Sequence, residues 1–263
     1  HTRSDTIGLL FGQRTSRARV EPKGKQIGTG ERTVQISGFQ KLTLLDYPGK
    51  TACTVFTAGC NFRCPFCHNA DLVLERAEPI ISEDEFFAYL KKRHGLLDGV
   101  AVTGGEPLLQ KDIGSFLERV RALGYDVKLD TNGTDPDRLR ELVETGLVQR
   151  VAMDIKNAPS AYGLTVGVEH VLLDRVERSK DYLLSGVVPY EFRTTVVRGL
   201  HTEERMIALA QWIAGAREYW LQQFRDTGSL ICGEGLSQFG KEEMEAFAEA
   251  MRPYVGSVRI RES

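Results

Sequence analysis

The stretch ACTVFTAGCNFRCPFCHNAD, residues 52–71, joins an apolar β-type run to a loop that carries three cysteines. Cys60, Cys64 and Cys67 stand in a C-x3-C-x2-C spacing, with Phe66 just before the third. Zinc prefers four ligands, and His68 follows Cys67 too closely for both side chains to reach one ion without a contorted backbone. A [4Fe–4S] cube held by three thiolates keeps one iron free to bind a small molecule. The spacing therefore predicts such a cluster.

The two remaining cysteines are Cys53, inside the apolar run, and Cys232, far along the chain. We expect both to be packed structural thiols. Two scattered cysteines cannot build an additional iron–sulfur cluster. The clustered cysteines, in a chain without a signal-like apolar segment, predict metal or redox chemistry in a reducing compartment, and hence a cytoplasmic location.

The composition limits the class of protein. A chain of 263 residues with 41% apolar content and a net charge of −2 can bury one core of barrel size. No apolar run approaches the roughly 20 residues that a membrane helix needs, so no membrane association is expected. The near-zero net charge argues against nucleic-acid binding through bulk electrostatics.

The amino-terminal part of the chain differs from the rest. Residues 1–31 are basic and glycine-rich and lack apolar periodicity, which predicts a flexible extension outside the core fold. The chain begins with His1 instead of Met, as expected of a processed chain or a fragment. Residues 32–263 are predicted to form one core domain.

From residue 33 onward, β-type apolar runs alternate with amphipathic helical patterns. Short loops between them predict an α/β fold with a parallel sheet, open or closed into a partial barrel. The predicted strands are 52–57, 99–104, 126–131, 150–155, 191–197 and 219–224. The predicted helices are 82–93, 112–124, 135–146, 169–184, 203–214 and 241–252.

Unusual polar motifs follow four of these strands. The cysteine loop follows the first, TGGEPLL (103–109) the second, DTNG (130–133) the third and DIK (154–156) the fourth; Arg193 lies within the fifth. Each motif alone is typical of ordinary turns. Because the carboxyl ends of parallel strands meet at one edge of a sheet, their shared position predicts a single functional site.

These motifs carry a family resemblance. The C-x3-C-x2-C loop with an aromatic before its third cysteine, followed one strand later by GGEP, resembles the radical S-adenosylmethionine (radical SAM) superfamily. CHNAD, DTNG and MDIK are similar to the activating enzymes of glycyl-radical enzymes. Residues 36–69 most resemble the anaerobic ribonucleoside-triphosphate reductase activating proteins, with the pyruvate formate-lyase activating enzyme as a near relative.

The resemblance implies a partial (β/α)6 barrel in a single domain, which binds a [4Fe–4S] cluster and S-adenosylmethionine. It implies an oxidoreductase that cleaves this cofactor reductively and generates a glycyl radical on a partner enzyme under anaerobic conditions. The reductant would be an external flavodoxin or ferredoxin. The implied cluster ligands are Cys60, Cys64 and Cys67, and the implied cofactor contacts are Phe66, Asn69, Gly104, Gly105, Glu106, Asn132, Lys156 and Arg193.

Two further assignments compete with simpler interpretations. By resemblance, Asp130, Thr131 and Asp154 would hold a monovalent cation beside the cofactor, although the carboxylates would equally cap a loop and pair with Lys156. Asp46, in LLDYPGK, resembles an acid that acts at the peptide substrate, and we expect it near the barrel mouth. Its alternative role is that of a turn residue before Tyr47-Pro48-Gly49.

Three other functions remain open from the sequence. The partner could be pyruvate formate-lyase, or the same radical chemistry could act on a small molecule or a nucleoside. A non-enzymatic metal-binding module would need only the cysteine loop, and would leave the motifs at the other strand ends unexplained.

Overall fold

The computed structural model describes residues 33–74, 76–226 and 228–261. The predicted extension, residues 1–31, lies outside the described residues. All six predicted strands and all six predicted helices are present, with shifts of a few residues at their ends.

The strands form one eight-stranded sheet in which they follow one another in chain order. Neighbouring strands are parallel, except that β1 is antiparallel to β2. The strands are β1 Ile36–Thr43, β2 Ala52–Thr57, β3 Gly99–Gly104, β4 Asp126–Thr131, β5 Arg150–Asp154, β6 Tyr190–Val196, β7 Tyr219–Gln223 and β8 Val258–Arg261. The predicted α/β class with a parallel sheet is confirmed, and the edge strands β1 and β8 are additions to it.

Helices connect the parallel strands. They are α1 Ala70–Val73, α2 Glu83–Lys92, α3 Ile113–Ala122, α4 Pro136–Glu144, α5 Tyr162–Val166, α6 Leu173–Leu184, α7 Glu203–Trp212 and α8 Lys241–Met251. Local sequence explains their bounds: the Ser82 hydroxyl accepts the Glu85 N–H at the start of α2, and the Glu85 carboxylate accepts the Ser82 N–H in return. None of the helices in the described ranges is both long and apolar enough to cross a membrane.

The two faces of the sheet differ in chemistry because side chains alternate along a strand. On one face, residues such as Cys53, Val127 and Phe192 are fully buried and belong to the hydrophobic core. Their neighbours in sequence, among them Lys128 and Arg193, face the other side of the sheet. The core therefore lies on the helix side, and the opposite, inner face carries buried charge.

Candidate cofactor site

A cavity of about 250 Å³ lies at the carboxyl ends of the parallel strands. Most of the site residues predicted from the sequence line it: Cys60, Cys64, Phe66, Cys67, Asn69, Gly104, Gly105, Asp130, Thr131, Asn132, Asp154, Lys156 and Arg193. Two others, Glu106 and Asp46, are absent from the described residues that line it. The predicted residues on this cavity thus lie on, or just after, five successive parallel strands.

The cysteine loop is held by parts of the chain that are distant in sequence. Three backbone hydrogen bonds tie it down: Gly59 N–H to the Leu72 carbonyl (2.8 Å), Arg63 N–H to the Val166 carbonyl (2.8 Å) and Cys232 N–H to the Pro65 carbonyl (2.9 Å). These partners lie on α1, on α5 and in the loop after β7. The conformation of the loop that carries the three thiols therefore depends on contacts with three separate parts of the chain.

Two glycines let the end of β3 approach this loop closely. Gly104 has a φ of 124°, which side chains rarely adopt. A Cβ on Gly105 would lie 1.9 Å from the carbonyl oxygen of Gly59, and that same oxygen accepts the Glu106 N–H at 2.8 Å. Only glycine at position 105 leaves room for the close contact between the GGEP segment and the cysteine loop.

We expect Gly105→Ala to displace the cysteine loop, because a Cβ cannot share space with a backbone carbonyl. The loss should be about 1–3 kcal/mol of unfolding free energy, together with most of the bound iron. Thermal unfolding and iron analysis of the reconstituted protein measure both. Gly114→Ala in α3 is the matched control, since its Cβ would meet only Leu142 Cδ2 at 3.9 Å, and it should leave iron binding intact. Equal iron in both variants would contradict the packing argument.

The three thiols lie in surroundings that suit iron–sulfur ligation. The Cys60 sulfur accepts the Phe62 N–H at 3.4 Å and one N–H of the Asn132 amide at 3.8 Å. Burial raises the pKa of Cys60 to about 11 and that of Cys64 to about 12, and it also raises the pKa of Cys67. Ligation must therefore release protons, as is general for thiolate sites.

Across the described ranges, no three His, Cys, Asp or Glu side chains group closely enough to hold a single metal ion. In a cube each thiolate binds its own iron, so the three sulfurs need not converge on one point. Ligation of a cluster by the three cysteines stays a prediction.

A partly buried charge network lies on the cavity wall. Arg193 contacts both Asp130 (3.0 Å) and Asp154 (2.9 Å), Lys156 contacts Asp154 (2.9 Å), and Lys128 pairs with Asp130. Burial acts to raise the pKa of Asp154, but Arg193 and Lys156 outweigh it and hold that pKa at about 2. Within these pairs three cations face two carboxylates, and Lys156 and Arg193, which line the cavity, can also pair with an anionic group of a ligand.

Glu106 lies behind the cavity wall. Its side chain is buried, and its carboxylate accepts hydrogen bonds from the Thr131 hydroxyl (2.8 Å), the Asn132 N–H (2.6 Å) and the Leu108 N–H (3.1 Å). Burial raises its pKa to about 7, although these hydrogen bonds favour the charged form. Glu106 therefore joins the ends of β3 and β4, and its contact with the cofactor stays a prediction.

The three residues predicted to bind a monovalent cation already form ion pairs or hydrogen bonds with other side chains of the chain. Asp130 and Asp154 are ion-paired as described above, and the Thr131 hydroxyl donates to Glu106. The arrangement matches the alternative in which the carboxylates pair with cations of the chain. Binding of a monovalent cation stays a prediction.

Asp46 lies in the turn before β2, at the amino end of the parallel strands. It is not among the described residues that line the cavity, and its role at a peptide substrate stays a prediction. Its carboxylate accepts the Thr54 hydroxyl at 2.5 Å, and Thr54 lies on the inner face of β2.

Some contributors were not predicted. Asn61 and Thr134 form hydrogen bonds with Asn132, and Gln222 lines the cavity. Two features of the sequence could have indicated these contributors. Asn61 lies inside the C-x3-C spacing, and Gln222 is a polar residue in the mostly apolar strand β7. Cys53 is buried as expected, but the expectation for Cys232 is wrong: it is exposed, beside the cysteine loop.

Comparison with known proteins gives consistent matches. The family model described as the radical SAM superfamily matches residues 54–211. A Methanocaldococcus jannaschii protein, provisionally named a glycyl-radical enzyme activating enzyme, is 32% identical over 233 residues, which cover 86% of this chain and 95% of that protein. GTP 3′,8-cyclase from Nautilia profundicola is 30% identical over 155 residues, which cover 56% of this chain and 48% of the cyclase.

The fold also matches solved structures. A domain of pyruvate-formate lyase-activating enzyme from Bacteroides vulgatus superposes with a TM-score of 0.51 at 17% identity, and the match covers 62% of this chain and 98% of that domain. At this identity the likeness concerns the fold alone.

Proposed function

The chain belongs to the radical SAM superfamily, and from this premise we infer that it activates a glycyl-radical enzyme. The family, the partial α/β barrel, and the use of a [4Fe–4S] cluster with S-adenosylmethionine are confirmed as predicted. The observation that carries the inference of an activase is the match to the M. jannaschii relative, which extends over 95% of that protein's length.

Cys60, Cys64 and Cys67 would hold the cluster. When bound, it would supply the electron for reductive cleavage of S-adenosylmethionine. The chain's own residues bind and orient the cofactor. Arg193 and Lys156, both on the cavity wall, would pair with the cofactor's carboxylate.

The remaining cofactor contacts follow from position on the cavity wall. Gly104 and Gly105 expose backbone to the cavity, and this permits close approach of the methionyl part. Phe66 and Asn69 flank the third cysteine and would contact the adenine. Asn69 also donates to the Gly104 carbonyl at 3.4 Å, so the two contact regions are linked.

We propose anaerobic ribonucleoside-triphosphate reductase as the partner, supported by the resemblance of residues 36–69 to its activating proteins. Flavodoxin or ferredoxin would supply the electron, because the chain has too few cysteines for an additional cluster of its own. Three free thiols at the site are typical of a reducing compartment, and we propose the cytoplasm.

A small-molecule substrate is the second candidate, favoured by the similarity to GTP 3′,8-cyclase. That similarity spans about half of each protein, so it concerns the shared cofactor-binding part more than a complete cyclase.

One experiment separates the candidates. Anaerobically reconstituted protein is reduced with S-adenosylmethionine and mixed either with the reductase or with GTP. We expect 5′-deoxyadenosine in both mixtures, and a glycyl radical detected by electron paramagnetic resonance only with the reductase. Consumption of GTP without a glycyl radical would favour the second candidate, and absence of 5′-deoxyadenosine would sink both.

Asp46 offers a test of how the peptide is oriented. From the amino end of β2 its carboxylate can accept a hydrogen bond from a peptide that lies along the inner face of the sheet. Asp46→Asn keeps the size but weakens the acceptor, so we expect glycyl-radical formation to fall about tenfold while 5′-deoxyadenosine still forms. Asp98→Asn is the control, since Asp98 is another acid in an amino-end turn, where its carboxylate accepts the Thr51 N–H at 2.8 Å. Equal loss of both products would instead assign Asp46 to the cofactor or the fold.

A further inference from the structure

The Asn132 side chain is buried at the cysteine loop, and its hydrogen bonds fix which way its amide points. The Oδ1 atom accepts the Thr134 N–H (3.0 Å) and the Thr134 hydroxyl (2.7 Å). Since both of these groups donate, the other end of the amide must carry the nitrogen. Its two N–H groups point to Asn61 Oδ1 (2.8 Å) and to the Cys60 sulfur (3.8 Å).

The groups around Asn132 leave it little freedom. Its backbone N–H donates to the buried Glu106 carboxylate at 2.6 Å, and Asn61 donates to the Thr134 hydroxyl at 2.8 Å. Every polar atom of the amide is thus satisfied within the chain. A buried amide with all its partners in place keeps its orientation.

We propose that Asn132 is a positioning residue that raises the reduction potential of the cluster by donating a hydrogen bond to the Cys60 sulfur. This inference rests on the proposed ligation of the cluster by Cys60. Reduction adds negative charge that spreads onto the ligand sulfurs, and an N–H dipole pointing at a sulfur stabilises that charge. Hydrogen bonds to sulfur are among the factors that set such potentials.

The test is a redox titration of the reconstituted protein, followed by the electron paramagnetic resonance signal of the reduced cluster. With Asn132→Ala we expect the ratio of reduced to oxidised cluster at a fixed potential to fall about three- to tenfold; tenfold corresponds to about 59 mV for a one-electron couple. With Asn132→Asp, which replaces the donor by an acceptor oxygen, the fall should be larger. A merely structural role would predict the opposite order. Aspartate keeps the size of asparagine and still accepts the hydrogen bonds from Thr134, so it would disturb the structure less than alanine.

Asn61→Ala is the control, because it removes the other partner of the Asn132 amide but keeps the donor to Cys60. We expect its reduction potential to match that of the unmodified protein. Iron and sulfide analysis accompanies each titration. A cluster with an unchanged potential in both Asn132 variants would overturn the inference, as would a shift in Asn61→Ala as large as that in Asn132→Ala. Failure of the unmodified protein to hold a cluster would instead overturn the ligation itself.

Discussion

We expect that replacing any one of Cys60, Cys64 and Cys67 with alanine will abolish 5′-deoxyadenosine formation and remove the cluster's characteristic absorption. The reason is that three thiolates already form the minimum protein ligand set of a cube with one open iron, so no spare ligand remains. Iron and sulfide analysis should give about four of each per chain in the unmodified protein. Each single variant should fall far below this.

The two other cysteines provide the controls. Cys53→Ala alters the core on the helix side of the sheet, and Cys232→Ala removes an exposed thiol whose backbone touches the cysteine loop. Both variants should retain the cluster. Loss of iron in Cys232→Ala alone would make that thiol a ligand, and stoichiometric zinc in the native protein without cofactor cleavage would contradict the enzyme assignment.

Arg193→Met should be the most destabilising change in the charge network. It leaves Asp130 and Asp154 without their shared cation, and breaking a buried pair in this way costs about 3 kcal/mol. Urea unfolding at pH 7 measures the loss. Arg178→Met is the matched control, because its pair with Asp137 is exposed and should contribute less than about 1 kcal/mol.

The effect of Arg193→Met should depend on pH. The pKa of Asp154 is about 2 in the folded protein, against its usual 3.8, so its ion pairing stabilises the fold fully above pH 3.8 and progressively less toward pH 2. The difference in unfolding free energy between the unmodified protein and the variant should therefore shrink as the pH falls from 4 to 2. A difference that stays constant over this range would mean that the cost comes from packing alone.

The central strands and the helices were predictable because their apolar periodicity is strong and their ends carry turn residues. The edge strands were not. Strand β1, ISGFQKLT, combines a glycine with exposed positions, and β8, VRIR, is only four residues long. Edge strands bury fewer side chains, so their sequences show weaker patterns, and pairing with β2 or β7 decides their structure.

Convergence of the motifs on one cavity followed from topology, but the direction of individual side chains did not. Glu106 turns inward because the 3₁₀ helix Pro107–Leu109 begins just after it and the Leu108 N–H needs an acceptor. Its other partners, Thr131 and Asn132, come from the end of β4 and the loop after it, which the sequence of GGEP cannot specify. Similarly, the six residues of β2 separate Asp46 from the cysteine loop.

The hydrogen bonds that tie the cysteine loop to Leu72, Val166 and Cys232 also constrain the order of events during synthesis. The cysteines leave the ribosome long before Cys232, the last of these backbone partners. Contacts between residues so distant in sequence form late, because long stretches of chain must be closed first. The nascent loop therefore reaches its final shape only after residue 232 has been made, and we expect iron delivery to follow that step.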